Sequence, residues 1–226
     1  MVSENVPAPR RRYQKRRRAE RERETRRRIT EAAVTLHGTV GPARTTIAGI
    51  AAEAGVQRAT VYRHFPDLDS LFHACSAQWA SVNPPPDPRA WRRIREPDVR
   101  LRQGLSELYA WYDWAEPMLI NVFRDAPSVP AMRQPVEDFE HHAEALRGAL
   151  MFRRPVSGRA RARVAAAIGH ALAFATWHSL VREQGLRSEE TLELMSALVA
   201  AAPRRPASRA DSGDLATGSH LGRDPG

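Results

Sequence analysis

The stretch from Thr46 to Phe72 constrains the fold of this chain more than any other part of the sequence. Its first apolar residues recur at helical spacing, and Gly55 then stands where a left-handed residue ends a helix. The residues predicted to face inward here are Ile47, Ile50, Ala51, Ala54, Val56 and Val61. A second short helix is predicted from about Gln57. Two short helices joined by a tight turn with glycine form a helix-turn-helix, whose second helix can enter the major groove of DNA.

The outward face of this second helix carries side chains that donate hydrogen bonds or present an aromatic ring. They are Gln57, Arg58, Thr60, Tyr62, Arg63 and His64. Such side chains contact phosphates and base edges. Arginine pairs with a guanine edge and glutamine with an adenine edge, so Gln57, Arg58 and Thr60 are the best candidates for base reading. The role of Arg63 stays open.

The same stretch resembles the TetR-type family of transcriptional regulators. The matching positions are Thr46-Ile47, Ile50-Ala51, Ala54-Gly55-Val56, Thr60-Val61-Tyr62-Arg63-His64-Phe65-Pro66 and Leu71-Phe72. The resemblance covers roughly Arg28 to Trp79. It implies that Tyr62 and His64 hold phosphates. It also implies that Arg44, Thr45 and Thr46 anchor the start of the first helix of the motif.

Two positions depart from the family pattern. Gln57 opens the second helix of the motif where serine or threonine is usual, and this change alters either the helix cap or a base contact. Leu68 stands where a lysine is common after the proline, and this change removes a phosphate contact that the resemblance would otherwise imply.

Helical periodicity and the resemblance together predict an all-α fold. It combines an N-terminal three-helix helix-turn-helix DNA-binding domain with a C-terminal helical domain for ligand binding and dimerisation. The predicted divisions are a disordered basic arm (1–19), the DNA-binding domain (20–80, with the helix-turn-helix at about 45–65), a proline-rich linker (81–96), the C-terminal domain (97–202) and a disordered tail (203–226). Within the C-terminal domain, helices are predicted from Pro97, from Pro117, over about 132–152, over about 161–183 and from about Ser188.

Positive charge is concentrated at the amino terminus. The chain has a net charge of +9, and its first 28 residues hold twelve basic and four acidic side chains. A basic arm on a nearly neutral body is typical of a segment that binds a polyanion. Because the helix-turn-helix follows directly, we expect the arm to contact DNA, where basic arms reach the minor groove. A solvated tail or a localisation patch is the alternative.

Several classes of protein are disfavoured by what the sequence lacks. The single cysteine, Cys75, excludes an internal disulfide framework and a cysteine zinc cluster. No secretory signal and no transmembrane segment is predicted, so we expect a cytoplasmic bacterial protein. Glu137 and His141 lie at a spacing that can bind metal, but a solvated acidic face explains them, and neither a metal nor a cofactor is predicted. No catalytic constellation stands out, so an enzyme is not expected.

The C-terminal domain is rich in aromatic residues that either line a ligand pocket or fill a core. The candidate ligand-binding residues are Tyr109, Trp111, Tyr112, Trp114, Phe123, His170, Phe174 and Trp177. Periodicity does not separate the two possibilities, but the resemblance implies an effector pocket in this domain. It also implies that the last two predicted helices pair with their copies in a homodimer, where Ala165, Ala171 and Ala175 permit close approach.

The resulting prediction is a sequence-specific regulator that binds a palindromic DNA operator as a homodimer and is released by an unknown small-molecule effector, most simply a repressor. One alternative is an architectural DNA-binding protein of weak specificity, driven by the arginine-rich arm. A more distant alternative is a small-molecule enzyme that uses the helical pocket. Footprinting distinguishes the first alternative, because a discrete palindrome is expected only for the regulator.

Overall fold

The computed structural model describes residues 9–203, with side chains from residue 13, and these residues fold into ten α-helices. The N-terminal unit comprises α1 (Pro9–Thr39), α2 (Ile47–Glu53), α3 (Arg58–His64) and α4 (Leu68–Val82). The C-terminal unit comprises α5 (Pro88–Arg92), α6 (Pro97–Asp125), α7 (Arg133–Met151), α8 (Gly158–Leu172), α9 (Phe174–His178) and α10 (Ser188–Ala201). No strand occurs between residues 9 and 203. The predicted all-α fold is therefore confirmed.

The N-terminal unit is built as the apolar spacing predicts. Thr46 caps α2 by accepting a hydrogen bond from the backbone N–H of Gly49, and Gly55 adopts a left-handed conformation between α2 and α3. Asp67 caps α4 in the same way. The buried core of this unit comprises Ile29, Ala32, Ala33, Ile50, Ala51, Ala54, Val61, Phe65, Leu71, Phe72, Cys75 and Met132. Met132 belongs to the turn before α7, so the two units share part of one core.

The arm differs from its prediction. Helix α1 begins at Pro9, so the expectation of disorder is wrong for residues 9–19, while residues 1–8 lie outside the described part of the chain. Arginine is a good helix former, and Arg16–Glu20 and Arg18–Glu22 form ion pairs one turn apart. Acidic residues therefore interrupt the run of arginines at the i, i+4 spacing that stabilises a helix. The predicted tail, apart from Pro203, also lies outside the described residues.

The predicted linker, residues 81–96, contains a helix that packs into the C-terminal core. Trp91 of α5 is fully buried, and its indole N–H donates to the carboxylate of Glu107 over 2.6 Å. The ring lies against Gly104 of α6, where an added Cβ would come within 3.1 Å of it. The prolines of this segment end α4, as predicted. The chain then packs back onto α6, because burial of a tryptophan side chain is strongly favourable.

A single long helix, α6, replaces the two helices predicted from Pro97 and Pro117. Pro117 lies inside α6 on its exposed side. The buried face continues past it, from Tyr112 and Ala115 to Leu119. Packing on this face holds the helix together although a proline removes one backbone hydrogen bond.

The helix predicted over 161–183 is broken at Ala173. This residue is extended (φ −72°, ψ 130°), and the chain continues as α9 and a π-helical turn, Ser179–Glu183. The break leaves carbonyl groups at the end of α8 free. Tyr109 donates its hydroxyl to the carbonyl of Ala171 over 2.9 Å, and Tyr112 donates to that of Leu172 over 2.6 Å. Ala171 is fully buried inside the subunit, so the expectation that it permits close approach between two copies is wrong.

None of the described helices is long and apolar enough by itself to span a membrane. Helix α8 and the segment Phe174–Glu183 meet that length and composition only as a pair, which is bent by 61°.

Candidate nucleic-acid interface and adjoining cavity

The exposed face of α3 carries most of the residues predicted to contact DNA. Gln57, Arg58 and Arg63 are exposed, and Tyr62 keeps 55% of its surface accessible. Thr60 is half-buried. Gln57 stands at the cap position of α3 without a side-chain capping bond, so its amide is available to a ligand. Val61 anchors the opposite face in the core, which fixes the orientation of the exposed one.

The residues before α2 hold the turn that leads into the motif. The hydroxyl of Thr45 donates to the carbonyl of Gly41 over 2.8 Å, and Nε of Arg44 donates to that of Val40 over 2.7 Å. Thr46 is the cap of α2, as described above. Arg44 is exposed, and only its Nε is used in this turn, so the other N–H groups of its guanidinium have no partner among the described residues.

His64 differs from its neighbours because it is half-buried. Its Nε2 atom is shielded from solvent and has no hydrogen-bond partner among the described residues. Burial lowers the pKa of His64, and the positive charges of Arg63 and Arg26 lower it further. The imidazole is therefore neutral at pH 7, and the predicted phosphate contact of His64 would not bring a positive charge.

Two arginines of α1 bind the helix-turn-helix itself. Arg26 donates to the carbonyl of His64 over 2.6 Å, and its guanidinium lies 4.0 Å from the ring centroid of Phe65. Arg28 donates to the carbonyls of Ala54 and Gly55. Both guanidinium groups thus meet the carboxyl ends of α2 and α3, where cations stabilise a helix. Both belong to the strongly basic first 28 residues, and no local pattern in the sequence distinguishes them from the other arginines there.

The basic arm is a helical extension of α1. Its described side chains, from Tyr13 to Ala19, are exposed, and the exposure continues to Glu24. With 31 residues, α1 is about 46 Å long at 1.5 Å per residue. Because Arg26 and Arg28 fix α1 to the helix-turn-helix, the arm has a defined direction relative to α3.

A cavity of about 320 Å³ lies between the two units. Val34 and His37 of α1 and a row of residues on α4 form one side. Residues of α6, including Met118 and Val122, and residues of α7, including Phe139, form the other side. The cavity therefore touches both the N-terminal unit and the longest helix of the C-terminal unit.

Only two of the eight residues predicted to bind a ligand line the cavity. Trp111 and Phe123 line the cavity. Six others lie elsewhere: Tyr109, Tyr112, Phe174 and Trp177 are buried in the core, and Trp114 and His170 are exposed. The hydroxyls of the two tyrosines donate hydrogen bonds to carbonyls of α8. Burial raises the pKa of both phenols. The cavity residues that sequence reasoning missed, such as Trp79 and Phe139, lie on helices that only tertiary packing brings together.

His37 and Cys75 form a buried polar pair on the cavity wall. The Sγ atom of Cys75 lies 3.6 Å from Nδ1 of His37, and the imidazole stacks on Phe72 with centroids 4.8 Å apart. Burial lowers the pKa of His37 to about 4, partly opposed by the charge of Asp125, and raises the pKa of the Cys75 thiol to about 12. At neutral pH both groups are therefore uncharged, and the thiol is poorly nucleophilic.

The end of α6 binds the turn that leads into the helix-turn-helix. The Asp125 carboxylate is buried and accepts the backbone N–H of Ala43 over 3.0 Å. Hydrogen bonds from Arg124 lower the pKa of Asp125, burial opposes this shift, and the Ala43 bond lowers the pKa further. The Asn121 amide donates to the carbonyl of Gly38 over 2.9 Å. We refer to these two contacts as the α6 clamp.

Among the described side chains, no group of three or more histidine, cysteine, aspartate or glutamate residues is arranged to hold a metal ion. Glu137 and His141, the pair at metal-ligand spacing, lie on a half-buried to exposed face of α7.

Comparisons with known proteins match both the motif and the fold. Residues 29–75 match the profile of the family described as bacterial regulatory proteins, tetR family. The chain is similar in fold to a TetR-like transcriptional regulator from Rhodococcus sp. RHA1, with a TM-score of 0.56 and 17% identity, over 78% of this chain and 94% of that one. It is also similar to a candidate fatty acid metabolism regulator from Clostridium perfringens, with a TM-score of 0.57 and 14% identity, over 76% and 96% of the two chains. No curated protein sequence matched.

Proposed function

Because its DNA-binding domain belongs to the TetR family of bacterial regulatory proteins, we propose that this transcriptional regulator is a repressor that binds a palindromic operator as a homodimer and is released by a small molecule. In this proposal it works in the bacterial cytoplasm. The observation that carries the ligand response is the position of the cavity, whose walls come from both the N-terminal unit and α6 and α7.

In this proposal, one set of residues recognises base edges and another set contacts phosphates. Arg58 and Gln57 in the first turn of α3 read base edges, since this end of a recognition helix enters the major groove. Tyr62, Arg44 and the helical arm contact phosphates. The exposure of these side chains supports this division.

Dimerisation is supported by the outer surfaces of α8 and α10. Leu194 and Leu198 of α10 are 45% and 41% exposed, and Ala162 and Ala166 on α8 are exposed as well. Leucines one turn apart beside small residues form a face that a second copy of the chain covers. Two recognition helices must lie about 34–36 Å apart to meet successive major grooves.

The ligand response follows from the α6 clamp. A molecule in the cavity contacts α6 at Met118, Val122 and Phe123, within a few residues of the clamp at Asn121 and Asp125. A ligand that favours one arrangement of α6 therefore biases the turn before α2, and with it the spacing of the recognition helices. Coupling of this kind is typically about 1–3 kcal/mol.

Selection of genomic fragments bound at physiological salt, followed by footprinting, tests the DNA-binding part of the proposal. The expected result is a discrete palindrome with two protected half-sites. Uniform coverage of the fragments would instead support the architectural alternative, in which the arm dominates binding.

Sedimentation of a surface variant tests the dimer. Leu198→Glu is expected to yield monomers, because the charge would be buried between two copies. Val99→Glu is the matched control, since Val99 is 55% exposed on α6 and lies outside the proposed face. A Leu198→Glu variant that sediments like the wild type would contradict this choice of interface.

A further inference from the structure

The cavity between the two units has walls without a positive charge. The chain carries 35 lysine and arginine residues, but none of those whose side chains the structure describes lies among the residues that line this cavity. The lining contains one carboxylate, that of Asp138 on α7, together with three histidines. The absence of basic side chains is therefore a local property, and it limits the ligands that the cavity can hold.

Aromatic rings make up much of the remaining wall. They are Phe72, Trp79, Trp111, Phe123 and Phe139. The rings of Trp79 and Trp111 meet at 67° with centroids 5.8 Å apart, and those of Trp111 and Phe139 lie at 26° with centroids 6.4 Å apart. A planar ring can stack on one of these faces and meet the edge of another, which is the geometry that aromatic pairs prefer.

Burial keeps two histidines of the wall, His37 and His142, uncharged. His37 is neutral at pH 7, as its lowered pKa indicates. Burial also lowers the pKa of His142, whose Nε2 lies 3.1 Å from the carbonyl of Pro86. His73 is exposed at the edge of the cavity. Asp138 is exposed and lies at the edge of the cavity, where its carboxylate accepts one hydrogen bond from Gln134 over 3.0 Å and has other lone pairs free for a ligand.

The polar and aromatic groups of the wall favour some ligands over others according to the charge of the ligand. An anion placed against these walls would lose its hydration without gaining a cationic partner, and it would approach the Asp138 carboxylate, so its binding is penalised. A cation would be attracted both by the carboxylate and by the faces of the aromatic rings. A neutral aromatic molecule would gain from burial alone.

The volume of the cavity sets the size of the ligand. A cavity of about 150 Å³ holds one benzene molecule, so about 320 Å³ accommodates roughly two rings.

We propose that the effector belongs to the class of small neutral or cationic molecules built on about two aromatic rings, and that Asp138 selects the cationic members while anions are excluded. The inference rests on the proposed function only in naming this cavity as the effector site. Binding of a compound to the cavity is measured on the protein without DNA, so it is tested independently of operator binding.

Three naphthalene derivatives of matched size test the proposal: naphthylmethanol, naphthylmethylammonium and naphthoate. Binding is measured by calorimetry on the full chain without DNA, at pH 8, where imidazoles are neutral. The ammonium compound is expected to bind most tightly, and naphthoate at least about tenfold more weakly than the alcohol. Equal or tighter binding of naphthoate, or failure of all three compounds to bind, would overturn the proposal.

Two variants on α7 identify the selecting group. Asp138→Asn is expected to remove most of the advantage of the ammonium compound and to leave the affinity for naphthylmethanol unchanged. Glu140→Gln, an exposed residue on the same helix that does not line the cavity, is expected to change neither. An unchanged preference in Asp138→Asn would show that the carboxylate does not select.

Operator binding is measured separately with the same compounds. A compound that binds but leaves operator affinity unchanged would contradict ligand-responsive regulation and leave the ligand class intact. A naphthoate that binds best and releases the operator would overturn the ligand class and leave the regulation intact.

Discussion

The buried imidazole of His37 predicts a specific loss of stability in mild acid. His37 is buried between α1 and α4, and burial lowers its pKa from an ordinary value of about 6.5 to about 4. Between these two values the unfolded chain binds a proton that the folded chain does not. Stability is therefore fully present above pH 6.5 and is lost as the pH falls toward 4.

The size of the effect follows from the shift. One pKa unit corresponds to about 1.4 kcal/mol, so a shift from 6.5 to about 4 is worth roughly 3 kcal/mol in full. At pH 4.5 most of this difference is already expressed. The linkage relation gives a loss of about 2.5 kcal/mol between pH 7.5 and pH 4.5 from His37 alone.

Urea unfolding across this pH range measures the loss, with protein concentration held constant because a dimer is expected. The carboxylates and the other histidines also titrate, so the informative quantity is the difference between the wild type and a variant without the imidazole. His37→Phe keeps a ring against Phe72, and His37→Gln keeps a neutral polar group. Both variants should lose about 2.5 kcal/mol less than the wild type between pH 7.5 and 4.5.

Parallel pH profiles for the wild type and both variants would refute the reasoning. A direct check is the imidazole titration followed by nuclear magnetic resonance in the folded protein. A midpoint near 6.5 for His37 would show that burial does not hold it neutral, whatever the variants do.

Three further predictions concern DNA and its coupling to the cavity. Arg58→Ala should cost about 1–3 kcal/mol on the preferred operator and relax the preference at one base pair per half-site, whereas Tyr62→Phe should weaken all operator variants alike by about 1 kcal/mol. Competition binding with variants that melt like the wild type separates the two, and a uniform loss for Arg58→Ala would assign residue 58 to phosphate contact. Deleting residues 1–18 should lower affinity for every sequence and make its salt dependence shallower, and an unchanged salt slope would show that the arm does not touch DNA. Asp125→Ala should lower the free energy of unfolding by about 1–3 kcal/mol and weaken the effect of naphthylmethylammonium on operator affinity, with Asp125→Asn between it and the wild type; full coupling in both variants would contradict the α6 clamp.

The sequence alone determined the parts of this protein that depend on neighbouring residues. The start of α2 at one of the two adjacent threonines, the left-handed turn at Gly55 and the inward position of Val61 all follow from spacing and local backbone preference. The exposed face of α3 follows from the same spacing, because a residue buried on one side of a short helix fixes which residues lie on the other. The all-α class follows from the same periodicity along the rest of the chain.

Tertiary structure decided what depends on distant residues. Tyr109 and Tyr112 look like pocket residues in sequence, but they cap the end of α8, and that end exists only because the chain breaks at Ala173. Arg26 and Arg28 are two of a run of arginines in the sequence, but in the structure they bind carbonyls at the ends of α2 and α3. Periodicity identifies the buried face of each helix but not its partner, so the cavity between α1, α4, α6 and α7 and its lack of positive charge are properties of the packing alone.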